Sequence, residues 1–436
     1  MPVHSPRRAP LSLVSALTGE GCRRALVATA LIWMGGLAQA APYTPRSDDE
    51  VVEQLPRRLD SAAQRKAQRE ARERLQRDPA QLPLALSLAQ QAITRARQQG
   101  DPRELGQAQA LLAPWWALPE PPPGVRLLRA IVRQSQHDFE ASLTDLDALL
   151  GAVPGPGVPL PVRAQAELTR AAVLQVQGRW REAQAGCEQL QSERYAALGD
   201  SARRPAQVCL AELRSLQGQA ESGARELASL ARQAPAQDAA WLALVQAELA
   251  ERRGVPQAEA FYRQASSVPT PEVYALAAHA DWLLDQRRPA EVLALLPADG
   301  VPADALLLRR AIALKQTKDP AAGAAMATLQ ARFDEAAQRG DSEHARERAR
   351  FELDLREAPQ AALSQAVSNW ARQKEPADAV LLARAAQAAQ QPAAADPVRE
   401  FVRTTGLQDV RLQKVGIARS AVSAPSASSS TPGGRP

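Results

Sequence analysis

The 436-residue chain is short of the residues that strands and catalytic centres favour. Aromatics make up 4% of it, asparagine occurs once, at Asn369, and there are four histidines and three cysteines. Alanine, leucine, glutamine and arginine stand in their place, which is helix-former chemistry and argues against a mostly β fold. Glycine and proline, at 23 and 34 residues, are too sparse for a fibrous or low-complexity protein, and 45% hydrophobic content speaks against wholesale disorder. No H-E-x-x-H, C-x-x-C, G-x-G-x-x-G, G-K-[ST] or G-x-S-x-G run is present. Zinc protease, redox, dinucleotide, P-loop and hydrolase readings therefore lack their signatures. His344 and Glu347 share a helical spacing, but no second copy supplies the other ligands of a metal site. The paired carboxylates Asp145 and Asp147 read as solvent-facing. Neither an enzyme nor a cofactor or metal is expected.

The N-terminus carries the pattern of an address label. Arg7, Arg8, Arg23 and Arg24 precede an apolar stretch from Ala25 to Leu37, closed by Ala38-Gln39-Ala40. That is the order of a secretory signal peptide, cleaved after Ala40. The apolar run is shorter than the ~20 residues of a bilayer span, so no membrane span is expected after cleavage. Losing residues 1–40 takes the formal charge from +5 to about +2, and no basic face clusters as nucleic acid would require. Cys22 leaves with the leader. Cys187 and Cys209 remain, in what should be an oxidising compartment, periplasmic or secreted. Residues 41–80 read as a charged helical segment, with a helix from about Ser61 to Asp78-Pro79. Residues 81–415 form the main array, and the Ser/Pro/Gly-containing stretch 416–436 reads as a disordered tail.

Within the array a repeat is visible. Gln136-His137-Asp138-Phe139-Glu140-Ala141-Ser142 aligns with Gln177-Gly178-Arg179-Trp180-Arg181-Glu182-Ala183, and more weakly with the stretch from Gln217-Gly218 to Gly223. Gly178 and Gly218 permit the left-handed backbone that ends one helix and turns into the next. His137 replaces glycine there, and histidine is among the residues enriched in that conformation. Phe139 and Trp180 can plug the wedge between paired helices, while Ser142, Ala183 and Gly223 allow close approach. Weaker copies follow at Gly254, at Arg287-Arg288-Pro289, at Asp319-Pro320 and at Gly340-Asp341.

These features resemble the tetratricopeptide repeat family, and in particular uncharacterised exported members from Gram-negative bacteria. The resemblance implies an all-α fold, a superhelical solenoid of antiparallel helix pairs with irregular repeats, in which each pair contacts only its neighbours. It also implies a protein-interaction scaffold whose first helices line a concave face. The candidates for that face are Leu127, Ile131, Gln134, Leu168, Ala172, Gln175, Val208, Glu212 and Ser215. Such a groove suits a peptide segment of another exported or envelope protein. A second reading is an accessory protein of polysaccharide secretion or of peptidoglycan. Exposed indoles at Trp115 and Trp116 would favour it, whereas packing of those rings favours the scaffold. Trp241, Trp282 and Trp370 read as core plugs. In a stacked solenoid Cys187, nine residues after Gly178, and Cys209, nine before Gly218, fall on adjacent helices, so a disulfide between them is expected.

Overall fold

The computed structural model describes Ser47 and residues 61–151, 157–298, 303–338 and 345–417. The leader with its cleavage site, the Gly340-Asp341 turn, His344 and the tail beyond Ile417 lie outside the described residues. Among those described there is no strand, and no helix is long and apolar enough to cross a membrane.

A charged helix, α1 (Ala62–Arg77), leads into a series of helical hairpins. They pair α2 (Leu82–Gln99) with α3 (Pro102–Leu111), α4 (Pro123–Ser135) with α5 (Phe139–Gly151), and α6 (Leu160–Val176) with α7 (Trp180–Gln189). Next come α8 (Asp200–Leu216) with α9 (Ala220–Gln233), α10 (Ala239–Arg253) with α11 (Gln257–Ser266), and α12 (Val273–Asp285) with α13 (Pro289–Leu295). The last are α14 (Asp304–Gln316) with α15 (Ala322–Gln338), α16 (Ala345–Arg350) with α17 (Pro359–Trp370), and α18 (Pro376–Ala388) with α19 (Asp396–Thr405); a short α20 (Val410–Lys414) follows. Proline recurs in the first helical turn, where its missing N–H leaves no bond unmade. Asp101 caps α3 by accepting from the Arg103 N–H at 3.0 Å. This is an all-α array of antiparallel helix pairs, the architecture that the sequence resemblance implies.

One backbone device recurs at the hairpin turns. Gly100, His137, Gly178, Gly218, Gly254, Arg287, Lys318, Glu357 and Gln390 all have φ between 54° and 85°. The residue after the turn returns its N–H to the last turn of the first helix: Asp138 to Arg133 O, Arg179 to Leu174 O, Gln219 to Arg214 O, and Val255 to Ala250 O. Arg288 does so to Leu283 O, Asp319 to Leu314 O, and Gln391 to Ala386 O. These bonds satisfy carbonyls that a helix end would otherwise leave orphaned. Only four of the nine turn residues are glycine.

Packing follows the repeat. Phe139 and Trp180 are buried at the start of their helices, and the Trp180 indole donates to Gln175 O at 3.0 Å. Ser142 and Ala183 are fully buried, and a β-carbon on Gly223 would lie 2.6 Å from Ala211 O, so those helices cross too closely for a larger residue. Cys187 on α7 and Cys209 on α8 form a disulfide, with Cα atoms 6.3 Å apart, that staples one hairpin to the next. Closing a loop of that size contributes on the order of 3 kcal/mol.

Some expectations are corrected. Trp241 is 41% exposed, because it points outward from α10 while its neighbours Leu242 and Ala243 turn into the core; Trp282 and Trp370 are buried. Asp145 is not solvent-facing. It is buried between Arg129 and Arg133, at 2.6 and 2.8 Å, and the pairing offsets the cost of burying its charge; Asp147 is exposed and meets Arg170. Trp115 and Trp116 are half-buried against the core.

The expectation that each pair touches only its neighbours is also corrected, because the chain doubles back. Lys374 donates its N–H to Val176 O at 2.7 Å, and the Gln373 amide meets the His137 ring at 3.0 Å. The Phe401 ring stands edge-on to Trp180 and Trp370, with centroids 4.9 and 5.3 Å away. Gly406 lies on Gly218 and Val410 on Gly254. Near the other end, the Gly100 turn rests on Val273 and Ala303, and α2 touches α12. The superhelix is closed on itself.

Candidate functional site

Closure converts the concave face into a cavity of about 520 Å³. Its wall comes mainly from first helices of the hairpins, α2, α6, α8, α10, α12, α14, α16 and α18, with Trp180 and Tyr262 added from α7 and α11 and α20 laid across them. Apolar stretches at Val273, Ala277, Ala278, Val380 and Leu381 alternate with charged groups.

Most charges in the wall are already paired. Asp281 accepts from Arg309 at 2.8 Å and also from Arg350, joining α12, α14 and α16. Burial alone would raise the Asp281 pKa, but the two guanidiniums outweigh it and hold the carboxyl at about 2. Arg346 binds Glu375 and Asp378, and Asp378 also accepts from Asn369 at 2.7 Å. The Arg411 guanidinium lies 3.0 Å from Glu251 and 2.7 Å from Asp409. Glu251 in turn accepts from the Tyr262 hydroxyl at 2.7 Å. Burial raises the Glu251 pKa, against the opposing pull of Arg411 and Tyr262.

Two carboxylates in the wall have only neutral hydrogen-bond partners. Glu212 accepts from the Gln175 amide at 2.7 Å, and Glu248 accepts from the Tyr274 hydroxyl at 2.6 Å. Burial, reinforced by Glu212 and Glu375, pushes Glu248 up to about 7, although the Tyr274 bond acts the other way. Burial raises Glu212 as well, more than Arg252 lowers it. Arg252, itself buried, donates to the Ser215 hydroxyl at 2.6 Å. Tyr274 is 50% exposed, but that exposure is to the cavity, where protein surrounds it; its hydroxyl is held neutral chiefly by Glu248 and by burial. The remaining cations of the wall are Arg97 and Lys414, both exposed, and Arg384, which is paired with Asp354. Among the described residues no group of His, Cys, Asp and Glu could hold a metal ion.

The groove candidates divide. Gln175 and Glu212 face the cavity. Leu127, Ile131, Val208 and Ser215 are buried between helices instead, because they lie on the side of α4 and α8 that packs against neighbouring helices. Gln134 and Leu168 are half-buried and Ala172 is exposed, and none of the three lines the cavity. The turn and packing residues sit at hairpin corners or just beyond: His137, Gly178 and Gly218 at positive φ, Phe139, Trp180 and Ala183 inside. His279 is a core residue, stacked on Tyr262 at 5.7 Å and lowered to about 4, chiefly by burial. Sequence reading missed Glu248, Tyr274, Glu375 and Arg411. The first two recur on first helices, at helical spacing from the hairpin turns, but only closure brings Glu375 and Arg411 to them.

No protein-family model matches the sequence. No curated protein matches it. Among solved structures the chain is similar to the TPR domain of P58(IPK), at 12% identity over 75% of this chain and 94% of that one, with a TM-score of 0.19.

Proposed function

We propose that the chain is an exported protein-interaction scaffold whose cavity receives a short, positively charged segment of a partner. The observation that carries this reading is the pair Glu212 and Glu248, half-buried carboxylates from adjacent first helices whose hydrogen-bond partners are neutral, Gln175 and Tyr274. A lysine or arginine head would complete them, with its stem lying along Val273, Ala277 and Val380. A volume of about 520 Å³ suits a few side chains rather than an extended peptide threading a groove. The Cys187–Cys209 bridge is in keeping with an oxidising compartment. The packing of Trp115 and Trp116, half-buried against the core, favours this reading over a glycan ledge.

Trilysine peptide, titrated calorimetrically into the full chain, tests it. Affinity is expected to rise from pH 6 to pH 8 as Glu248, at about 7, ionises. Glu248→Gln keeps the bond to Tyr274 but should weaken binding by about tenfold, the loss of one charge-assisted bond. Equal binding of a peptide acetylated on all its amines would contradict the reading.

A further inference from the structure

The segment that closes the cavity has the form of a strap. It runs from α19 through Gly406 to α20, and it crosses three hairpin turns in succession, at Gly178, Gly218 and Gly254. Each turn has lost its side chain where the strap lies on it. A β-carbon would meet Phe401 at 2.9 Å on Gly178, the Gly406 carbonyl at 3.1 Å on Gly218, and Val410 at 3.1 Å on Gly254. Of the five turns with other residues, those at Arg287, Lys318, Glu357 and Gln390 are exposed, while His137 meets Gln373 of the returning segment. Glycine at the first three positions therefore serves the strap's close approach as well as the left-handed corner.

We propose that residues 396–417 form a displaceable strap that closes the cavity and swings aside to admit a ligand. Two contacts hold it shut. Phe401 stands against Trp180 and Trp370, and Arg411 reaches into the cavity wall at Glu251. Arg411 places a cation in the same wall that, on the reading above, awaits one from a partner. An incoming basic group can thus compete for Glu251 and release the strap. The strap's apolar anchors, Val398, Val402 and Leu412, lie on two short helices of ten and five residues, and a small set of contacts decides between open and shut. The closure itself does not depend on what the cavity binds.

The test is thiol labelling at Ala278→Cys, a cavity-lining position, in the full chain, with a bulky maleimide and the label located by peptide mass mapping. Labelling is expected to be slow with the strap intact. Phe401→Ala, or the milder Arg411→Gln, should speed it about tenfold while helical content is unchanged. A rate that neither substitution alters overturns the strap. So does a loss of helix in both variants, which would make the segment part of the core. If labelling accelerates as expected but trilysine does not bind, the strap stands and the cationic ligand falls. If trilysine binds and labelling never changes, the reverse holds.

Discussion

The turns at Gly100, Gly178, Gly218 and Gly254 and those at Arg287, Lys318, Glu357 and Gln390 share one backbone conformation, yet only the first four are covered by another part of the chain. An L-residue in the left-handed region costs about 1–2 kcal/mol, a cost the second set bears in the open. Glycine in the first set thus reports what lies on top of the turn. His137 is the intermediate case, at positive φ with a side chain that meets Gln373 from the returning segment. The regions also differ in what binds one hairpin to the next. The covered half has the disulfide and the strap. The open half relies on ionic bridges, of which Asp281 is the centre, joining three hairpins through Arg309 and Arg350.

The largest expected effect is therefore at Asp281. Asp281→Ala leaves two largely buried arginines without their shared partner and should cost about 3–5 kcal/mol in chemical denaturation. The carboxyl is depressed from 3.8 to about 2, so its contribution is present above the unfolded value and is lost as pH falls through about 2. Thermal melts should show that loss between about pH 4 and pH 2, and Asp281→Asn should flatten it. A wild-type acid limb retained in the variant would move the centre of the open half elsewhere.

A smaller effect separates the covered from the open turns. Gly218→Ala combines the left-handed cost with a contact on the Gly406 carbonyl, about 3 kcal/mol together. Gly416→Ala, at φ 76° with nothing within 4 Å, should show only the conformational cost, about 1 kcal/mol. Equal losses in urea unfolding would mean that covering the turn adds nothing. The smallest effect has the opposite sign. Lys318→Gly, at φ 57° and exposed, should stabilise by about 0.5 kcal/mol, because relief of strain exceeds the entropy lost by glycine.

Those same turns decide how much of the molecule could be read in its sequence. The corners at His137, Gly178 and Gly218 are legible because glycine, aromatic and small residue recur in fixed order, and the disulfide follows from their register. The corners at Glu357 and Gln390 carry no such signature, since the N–H-to-carbonyl return that defines them can be made by any residue. Half of the site shares this limit. Gln175 and Glu212 could be placed on first helices by spacing alone. Glu375 and Arg411 enter the cavity only through closure, a contact between segments more than a hundred residues apart that helical periodicity does not encode. For the same reason Leu127 and Val208 could not be told from groove residues until both faces of their helices were occupied.

Closure is tested most directly by cross-linking the strap to its seat. A β-carbon on Gly218 lies 3.7 Å from the Gly406 Cα, and one on Gly406 lies 3.6 Å from the Gly218 Cα, so thiols placed there lie within reach of each other, at the same cost in strain as Gly218→Ala. The paired substitution Gly218→Cys and Gly406→Cys should therefore oxidise to a bridge between positions 218 and 406, found in unreduced peptide maps beside the native Cys187–Cys209 link. Two free thiols at those positions in folded protein, with the native link intact, would contradict a superhelix closed on itself.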